Sequence, residues 1–173
     1  MTTQTKEKTC SERVSDALYS RLEDIETAQE YFEIVEAYEE PSKELKEKAE
    51  ALGLESIEDF YQFLGEYGLS WFEWVEPKTS YNEGEGYYRW QLSWGGPSEE
   101  FRIYIKECDS SYFCNGRRYF MNSIKKIEFW FLDWYDGACK RTKNEVLTNV
   151  IEMFLDSVEA KPQYEIEGYC KED

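Results

Sequence analysis

The spacing of apolar residues changes partway along this chain, and no single secondary-structure class accommodates both spacings. Before about residue 68 apolar side chains recur at steps of three and four. Val14, Leu18 and Leu22 form one such set, and Tyr31, Ile34, Val35 and Tyr38 another. From residue 88 the step falls to two. Tyr88, Trp90, Leu92 and Trp94 alternate with Arg89, Gln91 and Ser93, and Phe101, Ile103 and Ile105 alternate with Arg102, Tyr104 and Lys106. The first spacing suits one apolar stripe on a helix, and the second suits one buried face of a strand.

Local signals divide these regions into elements. Ser11 can cap a helix through about Asp24. Thr27 with Glu30 has capping-box spacing for a second helix through about Glu39. Pro41 and Gly53 bracket a third, and Ser56 with Asp59 opens a fourth that Gly65 or Gly68 stops. Strands are expected over 69–76, 88–94, 101–106 and 124–134, with a loop at 109–117 and a turn at Asp136-Gly137. Thr142 with Glu145 then opens a last helix carrying Val146, Val150, Ile151, Phe154 and Leu155 on one side. The expected fold is α+β: acidic helices, an antiparallel sheet of about four strands, and a C-terminal helix packed on the sheet. Residues 1–68 form an acidic helical region and 69–173 the sheet with its helix, within one compact domain of 173 residues.

Charge is as unevenly distributed as periodicity. The net charge is −17, and residues 1–76 hold 20 of the 37 acids but only 7 of the 20 bases. A pI near 4.5 opposes direct binding to nucleic acid or an anionic membrane. Histidine is absent, which removes His-based triads, His general bases and His-containing zinc sites. No apolar run is long enough to span a bilayer, and the polar stretch Met1–Cys10 has no signal-peptide core. A cytoplasmic location follows as the expectation, with Cys10, Cys108, Cys114, Cys139 and Cys170 as reduced thiols. A Cys108–Cys114 bridge is geometrically open to the sequence.

Four groups of residues are candidates for function. Residues 23–40 contain eight acids and no base. Within them Glu23, Glu26, Glu30, Glu33 and Glu36 step by three or four and form a stripe on continuous helix, with Glu40 beyond. Like charges at that spacing each cost roughly 0.2–0.5 kcal/mol. The stripe is either a solvated face or a mimic of a nucleic-acid backbone that enters a basic groove. Second, Trp90 and Trp94 are expected in the sheet core, while Arg89, Arg102, Gln91 and Tyr104 meet Glu128 on the opposite face. That face is either a salt-linked surface or a binding surface. Third, Glu99, Glu100, Asp133 and Asp136 lie near strand ends and, if they converge, offer oxygen ligands to Mg²⁺ or Mn²⁺. Fourth, Cys114 beside Arg117 and Arg118 is a candidate reactive thiol, or simply a loop cysteine.

The segments RWQLSWGGPSEEFR at 89–102 and FWFLDWYDGA at 129–138 resemble a group of small acidic proteins. That group belongs to plasmids and other mobile elements and is associated with antirestriction genes. The resemblance covers about residues 66–141 and supplies no catalytic residues. It implies a role against host defence, of anti-CRISPR or antirestriction type. Together with the acid, it leads to the expectation of a non-enzymatic inhibitor that needs no cofactor or metal. Glu23, Glu26, Glu30, Glu33, Glu36 and Glu40 would contact a basic nucleic-acid-binding protein, a CRISPR effector or a restriction enzyme. One alternative is a metal-dependent nuclease that cuts a guide RNA through Glu99, Glu100, Asp133 and Asp136. Another is an immunity protein or antitoxin that neutralises a basic toxin.

Overall fold

The computed structural model describes residues 8–76, 85–114 and 117–157, and their side chains except those of 71, 107–114, 117–122 and 156–157. Helices α1 (Cys10–Glu36), α2 (Lys43–Ala51) and α3 (Phe60–Glu66) come first. Strands β1 (Ser70–Val75), β2 (Tyr87–Ser93), β3 (Ser98–Cys114), β4 (Arg117–Asp133) and β5 (Asp136–Thr142) follow, and α4 (Glu145–Ser157) closes the described chain. The strands form one sheet in sequence order, every pair antiparallel. The fold is α+β, with five strands rather than about four.

Helix α1 is continuous where two helices were expected. Its start is fixed at Thr9, whose backbone N–H and hydroxyl both donate to the Glu12 carboxylate, at 2.8 and 3.0 Å. Asp136 accepts from the Cys10 backbone N–H at 2.7 Å, so a donor that the helix cannot satisfy is met from β5. Val14, Leu18, Leu22, Ile25, Ala28 and Phe32 are buried. Thr27 is buried in mid-helix and caps nothing. The helix ends at Ala37, just before Tyr38, whose φ is +58°.

The other caps are local. Ser42 caps α2 by accepting from Leu45 N–H at 3.2 Å, with Pro41 before the cap instead of in the first turn. Gly53, at φ +72°, ends the excursion after α2 as expected. Asp59 caps α3 through Gln62 N–H at 2.8 Å. Gly68 follows α3 at φ +114°, where a Cβ would meet the Gln91 carbonyl oxygen at 2.7 Å, so only glycine fits. Asn144, not Thr142, caps α4, accepting from Leu147 N–H at 2.9 Å.

One face of the sheet and the helices share a single hydrophobic core. Trp90, Phe101, Ile103 and Phe129 are fully buried there. The Trp90 indole donates to the Tyr67 carbonyl at 3.0 Å. Phe72 stacks on Phe154 of α4 with ring centroids 3.9 Å apart, which seats α4 on the sheet.

Three expectations for the strands are corrected. The stretch expected to loop at 109–117 instead continues β3 to Cys114 and starts β4 at Arg117. Strand β5 replaces a simple turn after Asp136. Trp94 is not in the core: the register shifts between Gln91 and Ser93, β2 ends there, and Trp94 is 75 % exposed. Cys10 and Cys139 are free thiols. The Cys108–Cys114 bridge and the reactive Cys114 thiol fall on side chains outside the described residues. No described helix is long and apolar enough to cross a membrane.

Phe129 lies at the middle of this core, packed against Phe101 at 5.3 Å between ring centroids. Phe129→Ala is expected to lower unfolding free energy by about 3–5 kcal/mol. Urea titration checks this, with the midpoint falling at an unchanged slope.

Candidate functional site

Four contacts along α1 fix its rotation about its own axis. At the N-terminal end, Cys10 N–H bonds to Asp136. Arg13 pairs with Asp133 at 3.7 Å and lies 4.8 Å from the centre of the Phe131 ring. Further along, Lys140 of β5 donates to the Ser15 hydroxyl at 3.0 Å. Arg21 then reaches Glu99 of β3 at 2.6 Å and the Tyr67 hydroxyl at 3.3 Å. Tyr67 in turn donates to Asp24 at 2.5 Å. Burial, reinforced by that bond, pushes the Tyr67 phenol well above its ordinary value.

These contacts decide what three of the four expected metal-binding carboxylates do. Glu99, Asp133 and Asp136 hold α1 onto the sheet. Glu100 follows Glu99 directly in β3, so it points to the other face. There it pairs with Arg102 at 2.5 Å. The four do not converge. Among the described residues no three Cys, Asp or Glu side chains gather as a metal site. The hydrogen bond from Cys10 holds Asp136 below the usual carboxylate range.

With α1 pinned, its remaining acids face outward. Glu23, Glu26, Glu30, Glu33, Glu36 and Glu40 are all exposed. The first five spread over about 140° of the helix circumference and about 20 Å of its length. Glu23 is paired with Lys48 of α2 at 3.1 Å, and Glu40 with Lys46 at 2.6 Å. Both therefore sit at the edge of the row, already neutralised. Glu26 accepts from the Asn144 side-chain amide at 2.6 Å, and Glu33 from Gln29 at 2.6 Å. These neutral donors leave the charge intact. Among the described residues, no base forms an ion pair with Glu26, Glu30, Glu33 or Glu36.

The sheet face away from the helices carries a second arrangement. Strand alternation puts Arg89 and Gln91 of β2, Glu100, Arg102 and Tyr104 of β3, and Lys126, Glu128 and Trp130 of β4 on this face. The Arg102 guanidinium lies between two rings, 3.9 Å from the centre of Trp130 and 4.9 Å from that of Tyr87. Glu128 is buried and accepts from Lys126 at 2.9 Å, the Trp130 indole at 3.2 Å and Arg141 at 3.4 Å. Arg102 faces Glu128 in the register, as expected, but its carboxylate partner is Glu100. Arg89 pairs with Glu73 of β1 instead. Sequence reasoning missed Lys126, Trp130 and Arg141. Parity with Glu128 marks the first two, and Arg141 depends on a strand that its sequence conceals.

Burial opposes ionisation of Glu128, yet Lys126, Trp130 and Arg141 outweigh it and hold the carboxyl below its ordinary value. Burial, helped by the Glu128 charge, pushes the Tyr104 phenol up to about 12. Gln91 sits opposite Glu100, whose carboxylate is engaged by Arg102, and its amide nitrogen is buried without an acceptor among the described residues. This face is internally committed: its charges answer one another, and Arg102 and Lys126 are stacked on its own rings. The row on α1 is not answered in this way. No family model matches this sequence, and neither does any curated protein or solved structure.

A carboxyl held low in the folded state adds stability above its ordinary value of 4.5, and that stability is lost as pH falls through the lowered value. Glu128→Gln is therefore expected to flatten the decline in Tm below about pH 4.5, while lowering Tm at pH 7. Thermal melts of both proteins from pH 7 to pH 3 check it.

Proposed function

We propose that this chain inhibits a nucleic-acid-handling protein by occupying its basic groove with the carboxylates of α1. The single observation behind this reading is the row Glu26, Glu30, Glu33 and Glu36, exposed on a pinned helix and lacking an ion-paired base among the described residues. One carboxylate per about 5 Å of helix axis approaches one strand of a duplex, which carries a phosphate per about 3.4 Å. A groove lined with Lys and Arg for phosphates would accept such a row. Association would be fast and sensitive to salt.

The row is costly to the isolated protein, which supports a role in binding. Each like-charged neighbour along the helix costs roughly 0.2–0.5 kcal/mol. An interspersed lysine would remove that cost, as it does in α2, where Lys43 pairs with Glu47 at 3.6 Å and Lys48 with Glu44 at 3.7 Å. The resemblance to mobile-element proteins narrows the class of target to a CRISPR effector or a restriction enzyme in the cytoplasm. Inhibition would be stoichiometric and would need no cofactor. The catalytic alternative loses its support, because Glu99, Asp133 and Asp136 hold α1 and Glu100 lies on the other face.

The quadruple variant E26Q/E30Q/E33Q/E36Q tests the reading. In DNA-cleavage assays across a panel of CRISPR effectors and restriction enzymes, wild type is expected to inhibit at least one at near-equimolar ratio. The variant should be weaker by about tenfold or more, which is some 1.4 kcal/mol spread over four contacts. Its Tm should be equal or higher, since like-charge repulsion is relieved. Full inhibition by the variant contradicts the mechanism.

A further inference from the structure

The two exposed tryptophans among the described side chains lie in adjoining turns at one end of the sheet. Trp94 is 75 % exposed in the β2–β3 turn, and Trp134 is 87 % exposed in the β4–β5 turn, beside Tyr135, which is fully exposed. A Cβ placed on Gly96 would lie 3.1 Å from the Trp134 indole nitrogen and 3.9 Å from Asp133, so the turns touch. Tryptophan is seldom left this open in a folded chain.

Both turns are built to hold these rings out. In the first, the Ser93 hydroxyl donates to the Pro97 carbonyl at 3.2 Å and accepts from Glu99 N–H at 3.0 Å. Ser98 closes the turn onto the Ser93 carbonyl at 3.0 Å. The second is a two-residue hairpin loop, since Asp133 pairs directly with Asp136 in the register. Trp134 occupies its first position at φ +24°. Positive φ in a two-residue hairpin favours glycine, asparagine or aspartate, and a bulky residue there is strained by roughly 1–3 kcal/mol. Strain of this kind persists only where the surroundings enforce it, and it gathers at sites that bind.

The chemistry of the rings indicates an occupant. This chain covers its own rings with cations. Arg102 lies over Trp130 and Tyr87, Arg21 over Tyr67, Arg13 over Phe131, Lys126 over Tyr104 and Lys140 over Tyr19. Among the described residues no cation lies over Trp94, Trp134 or Tyr135. In a chain of net charge −17, a binding partner brings basic side chains, and exposed indole faces receive guanidinium groups best. The tips sit beside the N-terminal end of α1, where Asp136 meets Cys10. The base of the other turn, Glu99, meets Arg21, and Glu26 follows Arg21 on the same helix, so α1 carries both the contacts to the tips and the row.

We infer that Trp94, Trp134 and Tyr135 form a second anchor that receives arginine side chains of the same basic partner. This rests on the proposal that the α1 row enters a basic groove. Tips and row together specify a partner with an arginine-bearing protein surface beside the Lys and Arg that meet the row.

A labelled twelve-residue arginine-rich peptide, about 40 Å long when extended, can bridge both points. Its binding to the full chain is read by fluorescence anisotropy in 0.15 M salt. W134G relieves the positive-φ strain, so its Tm should stay within a few degrees of wild type while affinity falls about tenfold. W94S, in a turn held by backbone and serine hydrogen bonds, should lose affinity to a similar extent and guards against a folding defect in W134G. A lysine-rich peptide should bind wild type more weakly and be less affected by W134G. Wild-type affinity in both tryptophan variants overturns the anchor, as does failure of wild type to bind the peptide. So does tryptophan-dependent binding of a twelve-nucleotide single-stranded RNA. If E26Q/E30Q/E33Q/E36Q binds like wild type while the tryptophan variants do not, the row reading fails and the anchor stands. The reverse pattern sinks the anchor alone.

Discussion

Everything else in this molecule depends on the docking of α1 against the sheet. The helix carries more acid than an isolated helix tolerates well, and each like-charged step works against it by a few tenths of a kcal/mol. Burial of Val14, Leu18, Leu22, Ile25 and Phe32 opposes this at about 1.5–3 kcal/mol for each large side chain removed from water. Packing wins by a wide margin, which is why the helix runs unbroken through Thr27. The same apolar stripe decides which side of α1 faces outward. The carboxylate row therefore follows from the core.

Carboxylates serve two purposes here, and sheet geometry sorts them. Glu99, Asp133 and Asp136 point toward the helices and bind Arg21, Arg13 and the first turn of α1. Glu100 and Glu128 point the other way and organise Arg102, Lys126, Trp130 and Arg141. Both sets are internally satisfied. Among the acids left over are those on the outer side of α1, whose charge is available to another molecule.

The sequence revealed the class of the fold because the change of apolar period is strong on both sides of residue 69. It concealed three things for identifiable reasons. Strand β5 reads as polar because Lys140, which faces α1, reaches past it to Ser15 and Tyr19. The break expected at Thr27 rests on a Thr-x-x-Glu spacing that occurs three times, at Thr9, Thr27 and Thr142, and only Thr9 with Glu12 forms the cap. Trp94 fits the alternation of β2 until the register shift after Gln91 reverses parity, which alternation alone does not reveal. For the candidate site, the helical spacing of the glutamates already described the row. Separation of Glu99 from Glu100 was also legible, since adjacent strand residues face opposite ways. The ion pair from Arg13 to Asp133 and the hydrogen bond from Cys10 N–H to Asp136 cross more than a hundred residues and leave no local signal.

A protein that competes with phosphates for one groove has a definite thermodynamic signature: it and the nucleic acid exclude each other. The most direct measurement is analytical ultracentrifugation of an inhibited effector with this protein and the effector's labelled nucleic acid, at about 0.15 M salt. The account predicts two binary complexes and no ternary one, with nucleic acid released as this protein is added. A stable ternary complex in which inhibition persists would contradict it.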